Sequence, residues 1–273
     1  QVEAVRLHAA GWGVRLLPIE DGSLEGSPPT MPEFLARDRR WGAGNMQYVH
    51  LLRLPGLRAM GRWQLLQAIL LFASAPLWAL LLVAALGSAV SGGAGSSPGA
   101  LAALMAATWV AYTAPKLASY AEVLCRPALA ARYGGRAAFA RGAAVEFVFF
   151  ALFEPVAVLN KALALMLGPL DRFALPPAAR ALLAPFGNRG WGSQNRAARG
   201  VAWAVAARLL WPHTLVAALS LGLLATVSWT AFAFGLAPLL GPLLAVPLCV
   251  LTASPRFSAA LARRGIAATP EEL

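Results

Sequence analysis

The chain has 273 residues, 59% of them hydrophobic and only 13% charged, and its mean hydropathy is +0.62. A soluble domain carries about 25% charged residues, so the surface-forming stock here is too small for a water-soluble globule. The net charge of +11 is nearly all arginine, with Lys116 and Lys161 the only lysines. These arginines sit in short segments between apolar stretches, which is the distribution of cytoplasmic membrane loops rather than of a nucleic-acid footprint.

Residues 1–62 are polar in character. Val2 to Ala10 can form a helix, broken by Gly11 and Gly13, and Val14 to Ile19 reads as a short strand. A polar loop with Gly22, Gly26 and Pro28-Pro29 follows, and helical spacing resumes from Met31 to Arg40. One strand and two helices are too little for a domain, so this region is expected to be the tail of an α/β domain. Gln1 is not an initiator Met and opens no charged-then-apolar leader. The chain is therefore expected to be a piece of a longer protein, or a processed one.

The transmembrane domain is expected over 63–253, with a polar, basic cytoplasmic tail over 254–273. A first span runs from about Leu65 to Val90 and ends in the uncharged loop Ser91 to Gly99. A second runs from about Leu101 to Leu124. The loop after it carries Arg126, Arg132, Arg136 and Arg141 around Tyr133-Gly134-Gly135, which puts it in the cytoplasm. Residues 143–168 are apolar but hold Glu146, Glu154, Asn160 and Lys161, which fall within an arc of about 120° on a helix. Full crossing would put both the arginines of 171–208 and those of the C-terminal tail outside, so an interfacial or re-entrant helix is expected instead. Two last spans are expected near His213–Phe232 and Phe234–Ala253, parted at Gly235. The fold class is thus an all-α polytopic membrane bundle of about four spans plus that helix, preceded by the remnant of an α/β domain.

The densest polar cluster is Arg37-Asp38-Arg39-Arg40-Trp41, just before the first span. It reads either as a basic anchor for anionic lipid headgroups, or as guanidiniums for a diphosphate beside an indole for stacking a sugar. Cys125 and Cys249, with the scattered His8, His50 and His213, offer neither a disulfide framework nor metal-site spacing. Glu146, Glu154 and Lys161 read either as the lining of a wet path or as a Glu–Lys pair, with Trp78 and Trp109 as stacking surfaces or interfacial tryptophans. A transporter would show internal repeats or paired broken helices, and no convincing repeat is found. A non-enzymatic membrane subunit or transporter remains the alternative.

The RxxRW string at Arg37–Trp41 resembles the [QR]xxRW signature of family-2 inverting glycosyltransferases of the cellulose-synthase type. The longer string Pro28–Asn45 (PPTMPEFLARDRRWGAGN), with Ser74–Trp78 (SAPLW), is similar to the members that make the backbone of osmoregulated periplasmic glucans. The likeness extends through Pro115-Lys116, Tyr133-Gly134-Gly135, Glu146 and Ser254-Pro255-Arg256, and is weak between Gly168 and Trp211. It implies that Arg40 contacts the nucleotide diphosphate and that Trp41 forms the platform under the acceptor, with Arg37 at the first motif position. It implies UDP-glucose as donor, Mg²⁺ on the diphosphate, a β-glucan product, and a carboxylate base in a single displacement. That base and the metal-binding aspartates are expected before Gln1. Glu20, Asp21 and Glu25 are the nearest carboxylates and read as loop solvation. Trp191, Gln194 and Arg196, in the segment Asn188 to Arg199, fall where such enzymes have a loop closing over nucleotide; the plain alternative is a cytoplasmic loop with an anchored tryptophan. Cellulose and hyaluronan synthases are the nearer competitors. The implied partners are the remainder of the glycosyltransferase domain, membrane lipid, the growing glucan and a periplasmic glucan-processing protein. The implied location is the bacterial inner membrane, with the N-terminal segment and the C-terminal tail cytoplasmic.

Overall fold

The computed structural model describes residues 2–15, 27–92, 97–173, 176–184, 186 and 200–266. Among the described residues there is no strand; the regular elements are helices. The strand expected from Val14 to Ile19 falls largely outside them, and Val14 and Arg15 themselves have no regular structure. The helices sort into two compact units, one of residues 1–82 and 157–197, the other of 83–156 and 198–273.

The first unit opens with α1 (Val2–Ala9), ended by Gly11 at φ 88°. Next come α2 (Met31–Met46), the short α3 (Tyr48–Leu51) and the first part of α4 (Ala59–Val90). Pro32 in the first turn of α2 suits the fixed φ of a helix start, and the Thr30 hydroxyl donates to the Glu33 carboxylate at 2.8 Å. Val5, Leu57 and Leu65 form a buried cluster, with Tyr48, Leu51 and Leu54 packed around it. Gly61 packs closely there: a Cβ would sit 3.0 Å from Val5 Cγ1, and that side chain would have to give slightly.

α5 (Pro98–Cys125) is capped by Ser97, whose hydroxyl accepts from the Ala100 amide at 3.1 Å. α6 (Pro127–Arg132) leads into Tyr133-Gly134-Gly135, where both glycines have positive φ, 75° and 100°. α7 (Arg136–Leu167) runs unbroken for 32 residues despite Pro155, about 48 Å. A 3₁₀ turn (Gly168–Arg172) and α8 (Pro177–Leu183) follow, then α9 (Trp203–Val227), α10 (Trp229–Leu243), α11 (Ala245–Thr252) and α12 (Pro255–Ala262).

Among the described residues three helices are long and apolar enough to cross a membrane: α4, α7 with its 3₁₀ extension, and α9. The pair α10–α11, bent by 47°, makes a fourth if it counts as one span. α5 is long enough at 28 residues, but its threonines, tyrosines and Lys116 dilute the apolar residues. The expected break between the last two spans needs correcting. It lies at Ser228, not at Gly235: Ser228 is extended (φ −168°, ψ 155°) and its hydroxyl caps α10 by accepting from the Ala231 amide. Gly235 is helical, and it packs where a Cβ would collide with Leu224. Gly241 has the same role against the backbone carbonyl of Leu152 on α7. Glycine here serves close helix approach rather than turning.

Candidate functional site

α2 carries the arginine cluster, and its two faces differ. At 100° per residue, Leu35, Asp38, Arg39, Gly42 and Met46 share one side. Leu35 is fully buried, and Gly42 is packed so closely that a Cβ would sit 3.2 Å from the Phe72 ring of α4. The opposite side holds Phe34, Arg37 and Trp41. The Arg37 guanidinium lies 5.4 Å from the Phe34 ring centre and 5.5 Å from that of Trp41, which is 53% exposed. A cation held between two ring faces keeps a long side chain ordered. The helix was expected to stop near Arg40; it continues to Met46, with the Asn45 amide donating to the Trp41 carbonyl at 2.9 Å.

Of the residues singled out by sequence, Arg37, Arg40 and Trp41 thus lie on one helix, with Trp41 exposed and Arg40 half-buried. The inner face meets the last part of α7. Arg39 Nη1 donates to Asn160 Oδ1 at 3.2 Å, and Lys161 Nζ lies 3.9 Å from Asp38 Oδ2. A cleft of about 410 Å³ opens beside this contact, lined by Asp38, Arg39, His50, Phe72 and Lys161 among others.

The polar stripe on α7 does not act as one surface. Lys161 belongs to the contact with α2, whereas Glu154 and Glu146 meet α5 in the other unit. Tyr112 donates to Glu154 at 2.5 Å, and Lys116 and Tyr120 both donate to Glu146. Between them Phe150 stacks on Tyr112 at 6.1 Å, lies 5.1 Å from Lys116 Nζ and takes Trp109 edge-on at 6.5 Å. The Glu–Lys pair expected among Glu146, Glu154 and Lys161 needs correcting: Glu146 pairs with Lys116 of α5, and Lys161 faces Asp38. Tyr112, Lys116 and Tyr120 recur every four residues on α5, a periodic polar signal that the sequence itself carries. A second cleft of about 340 Å³ at the end of this ladder is lined by Tyr120, Tyr133, Phe139 and Glu146.

Trp191, Gln194 and Arg196 lie outside the described residues, as do Glu20, Asp21 and Glu25. Among the described residues no group of three His, Cys, Asp or Glu side chains could hold a metal ion. The residues described do not fit a Mg²⁺ site.

Residues 4–116 match the model of a family described as glycosyl transferase family group 2. The whole chain is 30% identical over 289 residues to a glucans biosynthesis glucosyltransferase H of Xanthomonas euvesicatoria pv. vesicatoria, covering 42% of that protein. A protein of the same name from Caulobacter vibrioides is 32% identical over 294 residues, covering 99% of this chain and 42% of the relative. One from Xylella fastidiosa is 28% identical over 288 residues, again 99% of this chain and 43% of the relative. The chain spans less than half the length of these relatives, and aligns with their C-terminal part. No solved structure matches it.

Proposed function

From this likeness, along its full length, to the C-terminal part of glucans biosynthesis glucosyltransferases, we propose that the chain is the membrane-embedded portion of a processive glucosyltransferase. It polymerises glucose from UDP-glucose into a β-glucan, the backbone of an osmoregulated periplasmic glucan, and assists its export. The observation that carries the reading is the two-faced helix α2. Its inner face is buried, while Arg37 and the exposed Trp41 stand together on the outer one. Trp41 offers the flat apolar surface on which a sugar ring rests, and Arg40 supplies a guanidinium for the diphosphate. A lipid anchor alone gives no reason for the cation–ring stack. The general base and metal ligands belong to other parts of the enzyme.

For export, the ladder Tyr112, Glu154, Phe150, Lys116, Glu146 and Tyr120 alternates ring faces with hydrogen-bonding groups, the pairing that sugar chains require. Glu146 and Glu154 are lining residues of the path in this reading.

The arginine distribution puts α2 and the loop around residues 126–141 on the cytoplasmic side of the inner membrane. The first half of α7 then packs on the cytoplasmic half of α5, through Glu146 and Glu154. Its last part packs on α2 and on the first half of α4, through Lys161. The interfacial or re-entrant placement of α7 in this reading rests on the arginine distribution, although the helix is long enough to cross.

Membranes from cells expressing the full-length gene product test the donor. Radiolabel from UDP-glucose should enter an alkali-stable polymer, while UDP-N-acetylglucosamine and UDP-glucuronate should not. Incorporation from another donor but not from UDP-glucose would replace glucan by a different polysaccharide.

A further inference from the structure

The contact between α7 and the inner face of α2 has a geometry suited to more than holding two helices together. Two consecutive residues of α7 meet two consecutive residues of the motif. Asn160, 1% exposed, accepts from Arg39 at 3.2 Å, and its amide reaches the Leu35 carbonyl at 3.5 Å. Lys161 faces Asp38 at 3.9 Å, with side chains 18% and 12% exposed, and lies 5.8 Å from the Phe72 ring centre. Leu35 and Gly42 form the apolar ridge of α2, and Asp38 and Arg39 flank it, about 100° apart around the helix axis. An apolar ridge by itself resists separation but lets a helix roll. Polar contacts on both flanks oppose rolling in either direction.

We propose that Asn160 and Lys161 form a latch that fixes the rotation of α2 and so aims Arg40 and Trp41 at donor and acceptor. Lys161 is then a positioning residue for the transferase step, not a lining residue of the polymer path. The inference rests on the function proposed above. It also gives the two unassigned positions inside RxxRW a purpose, since Asp38 and Arg39 hold the helix whose other residues do the binding. A displacement of about 1 Å at a reacting group costs on the order of a hundredfold in rate, and a small roll of α2 moves the indole by that much.

The test uses membranes from cells expressing the full-length gene product, comparing Lys161→Met, Lys161→Arg, Asp38→Lys and the reversed pair Asp38→Lys/Lys161→Asp. Inserted protein, kcat, KM for UDP-glucose and product length are measured for each. Lys161→Met should lower kcat by about tenfold to a hundredfold while KM moves by no more than about twofold. Lys161→Arg should keep most of the activity. The reversed pair should recover about tenfold over Asp38→Lys alone. Wild-type kcat in inserted Lys161→Met overturns the latch, as do shortened chains made at an unchanged initial rate, which would return Lys161 to the polymer path. If Lys161→Met does not insert, the reversed pair decides: inserted and active supports the latch, inserted and no better than Asp38→Lys overturns it. Activity lost in Trp41→Ala but kept in Lys161→Met sinks the latch alone; activity kept in Trp41→Ala sinks the underlying site.

Discussion

Replacing Glu146 by Gln should weaken the protein far more when Lys116 is present than when it is absent. Glu146 accepts from both the Lys116 ammonium and the Tyr120 hydroxyl on the neighbouring helix. The two charged side chains are 28% and 46% accessible, so the pair is neither sealed nor in bulk water. A fully exposed pair contributes about 0–1 kcal/mol, and breaking a buried one costs about 3–5 kcal/mol. After Glu146→Gln the ammonium keeps the faces of Phe150 and Tyr120, at 5.1 and 5.5 Å, worth about 0.5–2 kcal/mol. The single change should therefore cost about 2 kcal/mol, which lowers the ratio of folded to unfolded protein roughly thirtyfold. Adding Lys116→Met removes the stranded cation, so the double variant should be no less stable than Glu146→Gln. The coupling energy should be about 1–2 kcal/mol. The assay is a double-mutant cycle on thermal unfolding in detergent, scored by the fraction of protein that still runs as a monodisperse peak. Additivity within about 0.5 kcal/mol would mean that Glu146 and Lys116 are not coupled.

Close packing yields a second prediction. Gly241→Ala should abolish stable folding, because its Cβ meets the rigid Leu152 backbone, while Gly235→Ala should be milder, because it meets the movable end of Leu224; expression and thermal stability of the two variants check the order. Ser228→Ala should cost about 1 kcal/mol through the lost cap on α10, seen as a lowered unfolding temperature with activity intact below it. Single cysteines replacing Arg132 and Arg256, in a background lacking Cys125 and Cys249, should both react with a membrane-impermeant thiol reagent only when the cytoplasmic face is open. Labelling of either from the periplasm would overturn the assigned sidedness.

Composition was enough for the membrane class, because about half the usual charge cannot clothe a soluble fold. The motif helix was legible too, since Pro32 and the spacing of Leu35, Asp38, Arg39 and Gly42 are local signals. Its continuation to Met46 was not, because two glycines weaken the local preference and only packing against Phe72 makes Gly42 favourable. The break at Ser228 was hidden for a similar reason. No charge interrupts 213–253, and a glycine in such a run serves either a turn or a close contact, which sequence does not distinguish. Periodicity put Glu146, Glu154 and Lys161 on one arc, but it carries nothing about neighbours. Only the fold sends the glutamates to α5 and the lysine to the motif helix.

The role of Trp41 as a sugar platform is tested by comparing wild type, Trp41→Phe and Trp41→Ala for UDP-glucose incorporation at matched levels of inserted protein. Polymer should be lost in Trp41→Ala and partly retained in Trp41→Phe, which keeps a flat ring. Full incorporation by Trp41→Ala would contradict that role and leave the arginine cluster as a lipid anchor.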